Sequence, residues 1–103
     1  MDYKTTCVIE NGHPGLDGHF PGNPVVPGVV ILNKVIQAVH DWKGVRDIAE
    51  IMSVKFMAPV RPDMFFDIIL LEQNTHGIKF ECCHDKKCIV KGSIKLSPEA
   101  GAL

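Results

Sequence analysis

The sequence predicts an α+β fold in which one long central helix is wrapped by an antiparallel β-sheet. Three observations lead there. Only the stretch from about Gly28 to Trp42 sustains apolar residues at helical spacing. Its apolar side chains (Ile31, Leu32, Val35, Ile36, Ala38, Val39 and Trp42) cover well over half the helix circumference, more than a surface helix can leave wet. The strand-like runs that follow are joined by short turns, which implies antiparallel neighbours.

Taken in order, Tyr3 to Glu10 reads as a first short strand, with Cys7 and Ile9 on one side and Thr6 and Val8 on the other. Asn11 to Gly18 (NGHPGLDG) is turn chemistry throughout. The helix then runs from about Gly28 to Trp42 and ends near Gly44, which suits a C-terminal cap. Ile48 to Met57 is rich in β-formers, and Pro59 with Pro62 marks an irregular corner. Met64 to Glu72 is almost continuously apolar, the pattern of a strand covered on both faces. Ile78 to Cys82 and Cys88 to Leu96 alternate, the latter with Ile89, Lys91, Ser93 and Lys95 on one face. Ser97 to Leu103 reads as a frayed tail. A sheet of this size has two open edges and an uncovered apolar face, and dimerisation that continues the sheet would remedy both.

A length of 103 residues implies one domain, spanning 1–103. A formal charge of -1 leaves no electrostatic footprint for nucleic acid or an anionic membrane. The start, MDYKTT, has no apolar segment of signal-peptide type, and no wholly aliphatic run is longer than that from Val29 to Leu32; the expected location is the cytoplasm. Cys7, Cys82, Cys83 and Cys88 make no paired C-x-x-C framework, and neighbours Cys82 and Cys83 point to opposite faces of a strand. A zinc or redox site from Cys82, His84 and Cys88 does not match known zinc spacings, so reduced, mostly buried thiols and no metal or cofactor are expected.

The chemistry concentrates between His19 and Val39. Pro21, Pro24 and Pro27 fix φ and bias Phe20, Asn23 and Val26 towards extended geometry, so this loop can hold His19 still. Gly28 opens a helix whose first N–H groups have no internal partner and lie at the positive end of its dipole. Such donors stabilise oxyanions. An imidazole with an ordinary pKa of about 6.5 can be neutral at physiological pH and accept a proton.

His19-Phe20-Pro21-Gly22-x-Pro24-Val25-x-Pro27-Gly28-Val29, running into an apolar helix, resembles the 3-hydroxyacyl-acyl-carrier-protein dehydratases of the hotdog fold. Val54 to Asp63 is similar to that family's strand and corner after the helix, usually KF-x-x-PV-x-PGD. The likeness extends from about Leu16 to Leu96, in a chain nearer in size to the compact hotdog proteins of specialised polyketide and aryl-polyene pathways. The resemblance implies sheets paired edge to edge, with each site at the dimer interface. It implies His19 as the base that takes a proton from C2 of the thioester, and the Gly28 N–H as donor to the thioester carbonyl. Phe20, Pro27, Val29 and Gln37 would border the substrate. Gln37 falls where the family has a glutamine one turn after its catalytic carboxylate.

That carboxylate position, fourteen residues after the histidine, is Asn33. Asparagine can hold a hydroxyl or a water by hydrogen bonds but gives up no proton near neutral pH. General acid–base help is worth about 10²–10⁴-fold. His19 and Asn33 alone therefore imply a weak dehydratase, acting on acyl groups carried by an acyl carrier protein. The alternative is a half-catalytic or non-catalytic thioester-binding subunit that pairs with a carboxylate-bearing homologue. A thioesterase fits less well, because that activity on this fold also usually requires a helix carboxylate.

Overall fold

The computed structural model describes residues 2–12, 25–44 and 48–97. His19 and Phe20, the turn residues from His13 onward, and the tail beyond Ser97 lie outside the described residues. Strand β1 (Asp2–Cys7) is followed by helix α1 (Gly28–Lys43) and then by β2 (Ile48–Phe56), β3 (Phe66–Glu72), β4 (Gly77–His84) and β5 (Lys87–Leu96). The five strands form one sheet in the order β1-β3-β4-β5-β2, and every neighbouring pair is antiparallel. The predicted class, helix position and strand succession hold.

Burial of one helix face against the sheet supplies the core. Val30, Ile31, Val35, Ala38 and Val39 of α1 are buried with Ile68, Leu70, Ile78, Phe80, Val90, Ile94 and Leu96 of the sheet. Each fully buried aliphatic or aromatic side chain of this kind contributes about 1.5–3 kcal/mol. Gly92 makes the closest approach possible. A Cβ there would lie 2.2 Å from the Ser53 carbonyl oxygen and 2.7 Å from the Phe80 ring. The C-terminal end of α1 is pinned separately. Trp42 stacks on Tyr3 of β1 at 5.9 Å between centroids, and Lys43 sits 4.4 Å over the Trp42 ring while bonding Glu72 of β3 at 2.7 Å. Gly44, at φ +80°, then lets the chain leave the helix in a conformation that other residues rarely adopt.

Several boundaries differ from the sequence reading for identifiable reasons. Strand β1 ends at Cys7, not Glu10, because its partner β3 begins only at Phe66. Beyond that pair Ile9 turns into the core, and its carbonyl accepts from Asp63 N–H at 2.8 Å. Asp63 itself has φ +64° and accepts from Asn11 N–H at 3.0 Å, so the corner after β2 is tied to the chain after β1. Alternation in β5 also breaks. A bulge lets Cys83 face Cys88 while Cys82 faces Val90, leaving Ile89 as the extra residue. Ile89 is therefore buried together with Val90, not shared with the face of Lys91, Ser93 and Lys95.

A candidate active site at the start of the helix

The helix begins where Pro27, at φ -61° and ψ 145°, stops being extended. No side chain caps it, and its first intrahelical bonds run from Val30 N–H (3.0 Å) and Ile31 N–H (3.4 Å) to the Pro27 carbonyl. The N–H groups of Gly28 and Val29, one position earlier in the ladder, have no intrahelical acceptor. With no acidic residue in the first turn, the positive end of the dipole is left for a ligand.

Gly28 lines a cleft of about 380 Å³ together with Val25, Val26, Ile31, Phe56 and the segment Met57–Val60. Two backbone connections hold its walls. Val26 N–H bonds the Val60 carbonyl at 2.8 Å, fastening the entry to the helix onto the corner after β2. Met57 N–H bonds the Ile89 carbonyl at 2.8 Å, fastening the end of β2 onto the bulge of β5. The Phe56 ring covers Gly28 so closely that a Cβ on the glycine would lie 2.7 Å from Phe56 Cζ. The side chains that line it are all apolar, suited to an acyl chain and not to a charged group, while backbone groups supply its polar surface.

The other expected site residues are distributed unevenly. Pro27 is the N-cap just before Gly28 and does not itself line the cleft, and Val29, Asn33 and Gln37 do not line it either. They form an exposed stripe at i, i+4 and i+8, with Val29 64% exposed. The sheet thus covers less of the helix than its apolar character suggested. Among the described residues, no acidic side chain lines the cleft. Phe56 and the Met57–Val60 segment were not singled out as site residues from sequence. Their signal was the K-F-x-x-P-V run, which marks the strand end that reaches the helix start.

The cysteines stand apart from this cleft. Burial pushes the Cys82 thiol up to about 12 and the Cys7 thiol up to about 11, so both stay protonated at neutral pH.

The profile of the ApeI-like family, described as ApeI dehydratase, matches residues 2–93. The chain belongs to the ApeI-like dehydratase family. Among its relatives, the 3-hydroxyacyl-acyl-carrier-protein dehydratase FabZ of Geobacter metallireducens is 34% identical over 100 residues, covering 86% of this chain and 65% of that protein. FabZ of a Caulobacter species, strain K31, is 42% identical over 76 residues, covering 64% of this chain and 44% of the relative. This ApeI-like chain spans two thirds or less of the length of such relatives. In structure it is similar to the dehydratase heterocomplex ApeI:P from Xenorhabdus doucetiae, with TM-score 0.83 at 22% identity over 94% of this chain and 88% of that one. An uncharacterized protein from Erwinia carotovora subsp. atroseptica superposes with TM-score 0.79 at 22% identity, over 94% of this chain and 83% of that one. The hotdog fold implied by the sequence is thereby borne out.

Proposed function

We propose that this chain is a dehydratase-type hotdog subunit acting in the cytoplasm on 3-hydroxyacyl groups held as thioesters on an acyl carrier protein. The observation that carries the reading is the uncapped helix start at Gly28, set in a hydrocarbon cleft directly after the His19 motif of an ApeI-like chain. In the reaction His19 removes a proton from C2. The electron pair of that C–H bond moves into the thioester, and negative charge builds on its carbonyl oxygen. The Gly28 N–H, with the helix dipole behind it, holds that oxygen. The C3–O bond then breaks, the C2–C3 double bond forms, and hydroxide leaves as water once it receives a proton.

Asn33 cannot supply that proton, so the reading includes a slow homodimer, weaker by about 10²–10⁴-fold than a site with a carboxylate. Hydration of an enoyl thioester, the reverse reaction, is the assay. His19→Ala is expected to lower kcat/KM by about 10²-fold or more; full activity in that variant would remove His19 from the mechanism.

A second reading is favoured by the exposed Val29–Asn33–Gln37 stripe, which this chain's own sheet does not cover. Here the chain pairs with a homologue whose helix carries the carboxylate, and His19 completes a site across the interface. The Xenorhabdus relative in structure is itself a heterocomplex, which is in keeping with such pairing. Purification from the native host distinguishes the two, since recovery of an active homodimer alone would exclude the mixed assembly.

A further inference from the structure

On the sheet face turned away from the helix, Cys83 and Cys88 stand opposite each other in the β4–β5 hairpin. The connection is a two-residue turn, Asp85-Lys86, with φ of +50° and +66°, the geometry whose twist suits a tight hairpin. His84 and Lys87 flank that turn as its hydrogen-bonded pair. The next pair outward, Cys83 with Cys88, is the non-hydrogen-bonded kind, in which side chains approach most closely. The bulge at Ile89 matters here. By absorbing one residue, it keeps Cys88 on the face of Cys83 while the rest of β5 stays in register with the core.

A third group joins them. The Glu81 carboxylate and the two sulfurs all lie within 4.8 Å of one another, and all three residues are half-buried. Lys91 is directly opposite Glu81 in register, yet among the described residues Glu81 forms no ion pair. Asp67 of β3 is the register partner of Cys83 on the other side, adding negative charge beside the cluster. The combination of Cys82, His84 and Cys88 considered from sequence is not the one brought together. Cys82 is turned into the core, and His84 donates from Nδ1 to the Phe65 carbonyl at 2.8 Å.

We propose that Cys83, Cys88 and Glu81 form a binding site for one thiophilic divalent cation of the zinc class, leaving its fourth position open to water. Zinc–sulfur bonds of about 2.3 Å and zinc–oxygen bonds of about 2.0–2.2 Å place tetrahedral ligands about 3.5–3.8 Å apart, so closing the cluster needs contraction of about 1.3 Å at most. Half-burial permits it, since the three side chains reach solvent on one side. Binding forms two metal–sulfur bonds and one metal–oxygen bond, and two thiol protons pass to solvent. Two sulfurs and one oxygen suit a borderline-soft ion, and disfavour magnesium or calcium, which take oxygen ligands. The site is separate from the cleft at Gly28 and does not depend on the dehydratase reading.

The test uses the full reduced chain titrated with cobalt(II), whose thiolate charge-transfer and ligand-field absorption report sulfur ligation and tetrahedral geometry. One ion per chain is expected, with both bands present, displaced by one equivalent of zinc. Cys83→Ser and Cys88→Ser are each expected to abolish the charge-transfer band, and Glu81→Gln to weaken cobalt binding about tenfold or more, as loss of a metal-orienting or ligating group does. Cys7→Ser should change nothing. Circular dichroism of each variant checks that the fold persists. No charge-transfer band at one equivalent, a band that survives in both Cys83→Ser and Cys88→Ser, or one ion shared by two chains would each overturn the site.

Discussion

The ring of Phe56 lies against Gly28, so that a Cβ on the glycine would come within 2.7 Å of Phe56 Cζ. The obstructing atom is the far end of a side chain that is itself 50% exposed and free to swing outward. Gly28→Ala is therefore expected to change stability by less than about 1 kcal/mol, because the lower unfolded-chain entropy offsets the displacement. Activity should respond more. Displacing Phe56 reshapes the wall beside the proposed oxyanion donor, and a tenfold or larger fall in enoyl-thioester hydration is expected, read as kcat/KM beside a thermal melt.

Gly92→Ala provides the contrast. Its added methyl would meet the Ser53 carbonyl at 2.2 Å as well as the Phe80 ring at 2.7 Å, and the carbonyl belongs to backbone of the neighbouring strand. Relief requires β2 to move off β5. A cost of about 3 kcal/mol, the upper end for overpacking, is expected in urea denaturation. For a domain of this size that corresponds to a Tm lower by about 12–24 °C.

Asn33→Glu tests the missing acid. If a proton donor is all that the site lacks, turnover should rise by about 10²–10⁴-fold in a 3-hydroxyacyl-thioester assay. An unchanged rate would show that the cleft is shaped for another task. Stability should hardly move, since Asn33 is exposed.

Two surface carboxylates contribute to the acid limb of stability. The Thr6 hydroxyl, donating to Asp67 at 2.7 Å, is the main reason the Asp67 carboxyl stays below its ordinary 3.8, with Lys4 assisting. The hydrogen bond and charge of Lys43 likewise hold Glu72 below 4.5. For groups lowered by folding, the stabilisation is complete above the unfolded-state value and is lost as pH falls through the folded one. Tm should accordingly decline as pH drops from about 5 to below the ordinary carboxylate range of about 4. Thr6→Val and Lys43→Met should each flatten that decline while leaving the profile above about pH 6 unchanged in slope, as measured by melts across a pH series.

Much of the fold could be read in advance because its signals are local. Gly28 and Gly44 delimit the helix, and Gly44, at φ +80°, lies where glycine has a backbone reason to be. The strands after it, expected from Ile48, Met64 and Ile78, begin at Ile48, Phe66 and Gly77. What escaped was non-local. Nothing in the spacing of Cys88 and Ile89 announces a bulge, because the extra residue is defined by the opposing strand, where the neighbours Cys82 and Cys83 take partners two apart, Val90 and Cys88. Likewise the end of β1 at Cys7 depends on where β3 starts, some sixty residues later. For the site, Gly28 and Pro27 were legible from the proline–glycine frame, whereas Phe56 entered the cleft through tertiary packing. His19 and Phe20 lie outside the described residues and stand on the motif alone.

Strand β2 is an edge strand, and its last residue, Phe56, is also the wall of the cleft. Ile51, Met52 and Met57 share its exposure, so the edge is apolar as well as open. Any neighbour that settles on β2 must therefore choose a position for the Phe56 ring, and so must any acyl chain that enters beside Gly28. The two events draw on one side chain. By thermodynamic reciprocity, whatever factor association contributes to substrate affinity, substrate must return to association. Apparent substrate affinity in dilute assays would then vary with protein concentration, and a saturating thioester would shift, by the same factor, the dilution at which assemblies separate.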